Sequence, residues 1–240
     1  MDKYIAVIGC GYWGKNLIRN FAELEALHSV CDTDNEILQQ VALPYPGVNT
    51  ESSYQQILRN NSIKGVVVAT PAALHYSVAK DALLSGKDVF VEKPLALDVE
   101  EGRELVALAR ERDSILMVGH LIDYHPVVTR LREMIAKGEL GRIQYIYSNR
   151  LNLGRFRTEE NILWSFAPHD ISTILLLMGG RMPYQVSAHG GYYLHQDIAD
   201  VTLTTMAFED GVKAHIFVSW LHPYKEQRLV IVGDRKMAVF

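Results

Sequence analysis

The tripeptide Glu92-Lys93-Pro94 closes a short apolar run, D-V-F-V, at a point where the chain must turn. Pro94 fixes that turn and biases Lys93 toward an extended backbone. An amine partly removed from water and close to another cation titrates below a solvated lysine, which suits a general base near neutral pH. A second candidate is His169, in W-S-F-A-P-H-D-I-S. Pro168 favours the first position of a helix, so His169 is expected in the first helical turn with its ring facing a cleft. An imidazole there can hold a hydroxyl or exchange its proton. Asp170 is read as a complement to the helix dipole. Together Lys93 and His169 could manage the hydroxyl proton of an alcohol while another group takes the hydride from its carbon. The plainer alternatives are a solvated loop lysine and a capping histidine.

The hydride acceptor is indicated by I-A-V-I-G-C-G-Y-W-G at Ile5 to Gly14. A buried strand runs into Gly9, Gly11 and Gly14, and a helical pattern starts at once. Gly9 permits a sharp turn, Gly11 leaves room for a phosphate, and Gly14 lets helix and strand pack closely. The helix N-terminus offers N–H groups and the positive end of its dipole to the anion. A second strand ends at Asp32, roughly 20 residues on, the spacing of a carboxylate that binds an adenosine ribose. Such a carboxylate repels a 2′-phosphate, and no arginine follows it closely, so NAD is expected over NADP. Thr70-Pro71, ending the buried run V-V-V-A-T, and His75 are expected over the nicotinamide ribose. The full cofactor set is Gly9, Gly11, Tyr12, Trp13, Gly14, Asp32, Thr70, Pro71, His75, Glu92 and Lys93.

The stretch R-L-N-L-G-R-F-R-T places Arg150, Arg155 and Arg157 around Asn152 and Thr158. In a chain of net charge −4, three arginines in a glycine-containing loop suggest recognition of a carboxylate or phosphate. A solvated loop or a subunit contact is the alternative. His120 and Tyr124 could line a cleft or be structural. No His/Cys spacing matches a zinc site, so no metal is expected, and no Ser/His/Asp elbow appears. The charge balance gives no reason to expect nucleic acid or a membrane surface, and the apolar runs are too short for a bilayer span. The N-terminus shows no signal-peptide region, and Cys10 and Cys31 form no disulfide pattern, so a cytoplasmic location is expected.

Two sets of elements must position these residues. The first half alternates strand and helix patterns, which predicts an α/β Rossmann domain with a parallel sheet over residues 1–119. From 120 to 240 long alternating strands joined by short turns, such as Glu209-Asp210-Gly211, predict an α+β domain with an open, mainly antiparallel sheet. This second domain is assigned to substrate binding and oligomerisation. The strand-like end, M-A-V-F, makes it an expected truncation.

G-C-G-Y-W-G, Asp32, T-P-x-x-x-H, E-K-P and the antiparallel second half together resemble the glucose–fructose oxidoreductase and inositol dehydrogenase family. Within it, R-T-E-E-N-I-L-W-S-F-A-P-H-D-I-S and H-I-F-V-S-W-L-H-P are similar to bacterial UDP-N-acetylglucosaminuronic acid 3-dehydrogenases of surface-polysaccharide synthesis. The resemblance implies NAD-dependent oxidation of a sugar C3 hydroxyl, with Lys93 and His169 catalytic. It implies substrate contacts at Lys93, Arg150, Asn152, Arg157, Thr158 and His169, toward a uronate and a diphosphate. Many relatives carry an Asp four residues before the histidine; Ser165 stands there, which disfavours an inositol substrate. The family's open sheets pair between subunits, implying a homodimer or homotetramer. A free-sugar or polyol dehydrogenase and a non-catalytic NAD-binding subunit are the alternatives.

Overall fold

The computed structural model describes residues 4–154, 156–158 and 160–240. Two compact units divide the chain, one ending at Gly119 and the other starting at His120.

In the first unit, β1 (Ile5–Ile8), α1 (Gly14–Glu23), β2 (Leu27–Cys31), α2 (Asn35–Ala42), β3 (Asn49–Glu51) and α3 (Tyr54–Arg59) lead to β4 (Gly65–Val68). Then come α4 (His75–Leu84), β5 (Asp88–Val91), α5 (Val99–Glu111) and β6 (Leu116–Val118). The six strands are parallel, in the order β3-β2-β1-β4-β5-β6. The lack of alternation in β1 and β4 has a direct cause. Ala6, Ile8, Val66 and Val68 pack under α3, α4 and α5, while Val7 and Val67 pack under α1 and α2. Each valine or isoleucine fully buried this way contributes about 1.5–3 kcal/mol. Asp34 and Asp98 cap α2 and α5 by accepting from the N–H groups two and three residues on. The strand order reverses between β1 and β4, and a crevice for ligands opens there at the carboxyl ends of the strands.

The second unit contains α6 (Pro126–Ala136), β7 (Ile143–Leu153), α7 (Ile162–Leu177), β8 (Gln185–Gly191) and β9 (Val201–Ala207). It ends with β10 (Lys213–Ser219), β11 (Leu221–Gly233) and β12 (Met237–Val239). The sheet order is β12-β11-β7-β10-β9-β8. Every pair is antiparallel except β7–β10, so the sheet is mixed rather than built of hairpins alone. One face carries Ile146, Ala214, Ile216 and Val218 against α6 and α7. The opposite face carries Tyr145 and Leu203, both exposed, and a stacked Tyr147–His215 pair. Desolvation by its neighbours pushes the His215 pKa down.

Two local expectations are corrected. α7 starts at Ile162, where Asn161 accepts from the Trp164 N–H, so Pro168 lies inside the helix. His169 and Asp170 are therefore about two turns in, and neither can serve the first turn or its dipole. β7 extends to Leu153, so Arg150 and Asn152 stand on a strand and not in a loop.

Candidate functional site

The glycine loop has the geometry that its spacing requires. Gly9 adopts φ +95°, and a Cβ there would lie 2.6 Å from the carbonyl of Ala69 and 2.8 Å from the Thr70 nitrogen. A Cβ at Gly14 would strike the Gly9 carbonyl oxygen, whereas one at Gly11 would meet nothing within 4 Å. The loop is thus closed toward the protein and open where an anion would approach. No side chain caps α1, and no carboxylate occupies its first turn. Its dipole is left for a ligand.

Asp32 follows β2 and faces the loop. One carboxylate oxygen accepts from the Cys10 N–H at 2.7 Å and the other from the Asp34 N–H at 3.1 Å. Cys10 is buried, and burial first and the Asp32 charge second push its thiol up to about 12. Cys31 is raised to about 12 as well, with burial the larger cause. Both sulfurs therefore stay protonated near neutral pH and are poor nucleophiles.

At the end of β5, Glu92 is 8% exposed and accepts from the indole N–H of Trp13 at 2.7 Å. Burial raises its pKa, while the Trp13 bond, the Lys93 N–H and the charge of Lys93 act in the other direction. Gly119 must be small here, since a Cβ would lie 2.9 Å from the Glu92 carboxylate. Lys93 is half-buried beside it. Thr70 follows β4 next to Gly9, and its hydroxyl oxygen is buried without a hydrogen-bond partner. A ligand hydroxyl would satisfy it.

His75, expected over the nicotinamide ribose, lies between Thr70 and Pro94. It is 2% exposed, with Nδ1 2.6 Å from the Pro94 carbonyl oxygen and Nε2 2.9 Å from that of Thr70. Exposed Tyr12 and half-exposed Trp13 occupy the glycine loop, and Pro71 is exposed just ahead of α4. The first unit thus gathers the glycine loop, Asp32, Thr70 and Glu92-Lys93 at one edge of the sheet. These residues fit a dinucleotide: an open phosphate approach, an uncapped helix start, a ribose-side carboxylate and an orphaned hydroxyl.

In the second unit, Asp170, read from the sequence as a dipole complement, is instead the partner of Arg150. Buried at 4% exposure, it accepts from Arg150 Nε at 2.8 Å and Nη2 at 3.2 Å, and from the Ser148 hydroxyl at 2.6 Å. The alternation of β7 puts Ser148 and Arg150 on the face toward α7, and this was the available signal. Arg150, Asp170, Ser148, Thr173 and Phe240 line a cavity of about 120 Å³. Arg157 pairs with Glu160 at 2.6 Å. Thr158 is exposed and Asn152 half-buried, while Arg155 lies outside the described residues. His169 is half-buried on α7 and Ser165 is buried one turn earlier. A further feature is Asp200, fully buried, which accepts from the Trp220 indole at 2.6 Å and from the N–H groups of Tyr193 and Leu194. Burial raises its pKa, but the three N–H donors prevail and the net shift is downward. Phe156 packs edge-on against Trp220, so the Arg157 segment rests on this anchored indole. His125 caps α6 through its ring, Tyr124 is exposed, and His120 is half-buried. Among the described residues, no group of three or more His, Cys, Asp or Glu is placed to hold a metal ion. Nor is any helix among them long and apolar enough to cross a membrane.

A parallel sheet with a glycine loop at its reversal point, followed by a second, mainly antiparallel sheet, is the architecture of an NAD-binding oxidoreductase. Residues 3–120 match the oxidoreductase family with an NAD-binding Rossmann fold, and residues 128–239 match the GFO/IDH/MocA C-terminal domain. The chain belongs to this family. A protein of Magnetospirillum magnetotacticum of known crystal structure is 31% identical, with a TM-score of 0.89 over all of this chain and 77% of its own. UDP-N-acetylglucosamine 3-dehydrogenase of Acidithiobacillus ferrooxidans is 28% identical over 98% of this chain and 70% of its own length. Its crystal structure superposes with a TM-score of 0.88. The 2,7-anhydro-N-acetylneuraminate hydratase of Mediterraneibacter gnavus is 29% identical over 96% of this chain. This chain spans 65% of that relative, so it corresponds to about two thirds of such proteins.

Proposed function

We propose that this protein oxidises the C3 hydroxyl of a UDP-linked, N-acetylated sugar uronic acid to the 3-keto sugar, in surface-polysaccharide synthesis. The observation that carries the reading is Lys93 at the end of β5, next to buried Glu92 and on the same sheet edge as the glycine loop. A UDP-N-acetylglucosamine 3-dehydrogenase among the relatives supports the nucleotide-sugar class. NAD, when bound, accepts the hydride. Lys93 takes the hydroxyl proton, and His169 is the second catalytic residue. Asp32 binds the adenosine ribose, and Thr70 offers its hydroxyl to the nicotinamide half. Arg157, Asn152 and Thr158 meet the diphosphate and uronate, and Arg150 acts in the same region. The protein works in the cytoplasm as a homodimer or homotetramer, with two copies of the exposed face of the second sheet packed together.

The test is a screen of UDP-sugar acids, neutral UDP-sugars and free polyols, following reduced nicotinamide by absorbance. Lys93→Ala should bind NAD nearly as well as the parent and lose at least about 10²-fold in turnover, as expected for a lost general base. Full turnover in that variant would remove Lys93 from the mechanism. Turnover of free polyols alone would replace the substrate class. Cofactor binding without any turnover would make the chain a non-catalytic subunit.

A further inference from the structure

Lys93 sits between two residues that are each tied to a different nucleotide-binding loop. Before it, Glu92 accepts from Trp13 of the glycine loop at 2.7 Å. After it, Pro94 presents its carbonyl to Nδ1 of His75 at 2.6 Å, and Nε2 of the same ring meets the Thr70 carbonyl at 2.9 Å. A carbonyl can only accept. The ring therefore donates to Pro94 when Nδ1 carries a proton and to Thr70 when Nε2 does; the doubly protonated ring makes both bonds at once. At 2% exposure, water does not compete for either nitrogen. An apolar side chain would fill the same space without needing two partners, so an imidazole is a costly choice for packing alone. What the imidazole adds is a bridge between the turn after β4 and the turn after β5.

We propose that His75 is a positioning residue for Lys93. Its Nδ1–H bond to Pro94 fixes where the chain leaves β5 and hence where the lysine amine stands. Nε2 lies 2.9 Å from the Thr70 carbonyl and bonds there only when that nitrogen carries a proton. The rate consequence rests on the dehydrogenase reading given above, whereas the positional consequence does not. Displacement of a reacting group by about 1 Å can cost about a hundredfold in rate, so a loosened bridge is visible in turnover.

The two bonds can be separated. In His75→Asn the amide nitrogen falls near Nδ1 and keeps the Pro94 bond. In His75→Gln it falls near Nε2 and keeps the Thr70 bond, and His75→Ala keeps neither. Each amide variant donates to one of the two carbonyls and leaves the other, so their melting temperatures should move together, while kcat should not. His75→Asn is expected within about threefold of the parent, and His75→Gln and His75→Ala about ten- to a hundredfold lower, with NAD affinity held in all three. The readout independent of activity is reductive methylation of Lys93 in the NAD-loaded protein, followed by peptide mass spectrometry. Its rate should change in the Gln and Ala variants and stay at the parent value in Asn. Equal kcat losses in Asn and Gln, or unchanged labelling in all three, would overturn the proposal. If no sugar reduces NAD in the parent protein, the dehydrogenase reading fails, and the labelling comparison still decides the position of Lys93.

Discussion

Arg150 and Asp170 can be tested as a unit. The pair is bidentate, with Arg150 at 16% and Asp170 at 4% side-chain exposure. Removing one member leaves the other as an unpaired charge in a nearly closed setting, at a cost of about 3–5 kcal/mol. Arg150→Met and Asp170→Leu should therefore each destabilise the second unit by that order. The double variant leaves no stranded charge. Its main residual loss is the Ser148 hydroxyl bond to Asp170, about 1 kcal/mol, softened by the Arg228 carbonyl 3.4 Å away. The cycle thus predicts a coupling energy of about 5 kcal/mol or more, with the double variant more stable than either single one. Urea unfolding at neutral pH should be followed through Trp220, which is fully buried in the second unit. Because Trp13 lies in the first unit, the series is built in a Trp13→Phe background, which confines the signal to the second unit; two units need not unfold together. Additive losses, or single costs below about 1 kcal/mol, would refute the reasoning. The same double variant also tests substrate contact: a KM for an acidic sugar nucleotide that rises with stability restored marks Arg150 as an anion ligand, and an unchanged KM confines it to holding α7.

The remaining predictions concern the cofactor edge and the open sheet. Gly11→Ala should keep the parent melting temperature and weaken NAD binding, because its Cβ meets only the phosphate approach; Gly14→Ala should lower both, since its Cβ strikes the Gly9 carbonyl. Isothermal titration and a thermal melt separate the two. Glu92→Gln still accepts from Trp13 and removes a buried charge. Because burial raises the folded pKa of Glu92, its protonated form favours the fold below the unfolded value, and that support is lost as pH rises through the folded one. The Gln variant should accordingly be the more stable at neutral pH, and its advantage should vanish on acidification through the carboxylate range; a constant difference across pH would contradict this. Finally, Leu203→Glu on the exposed sheet face should shift light-scattering mass toward the monomer without changing the melting profile of the fold.

The first unit was legible because its signals are local. Strand, glycines, helix and Asp32 follow one another within one βαβ stretch, and Gly9 and Gly14 each answer to a backbone collision that a Cβ would cause, while Gly11 borders open space. β3 escaped notice for the opposite reason. Its three residues, N-T-E, carry no buried apolar side chain and join the sheet only through backbone bonds to β2. In the second unit the failures are nonlocal. Pro168 imitates a helix start, yet α7 begins a turn and a half earlier because Asn161 caps it and Ile162 is fixed by the Ala199 carbonyl. A proline costs a helix one N–H bond, and the buried Ile162, Ala167, Ile174 and Leu177 in the core offset that loss.

The placement of His169 follows from that shift. A histidine in the first turn would be aimed by the loop before it. Two turns in, it is aimed by the helix, and the helix is held in rotation by Asp170 on the neighbouring position. Asp170 can reach Arg150 and Ser148 only because β7 alternates them onto its inner face, and β7 is itself pinned between β10 and β11. The side chain with the clearest chemical promise in this unit is therefore oriented by an ion pair spaced 20 residues apart in sequence. No window of the chain contains both the strand period and the helix period that make the pair meet. The arginine read as an anion receptor and the aspartate read as a dipole partner satisfy each other first, and any anion-binding role of Arg150 must be exercised from within that pair.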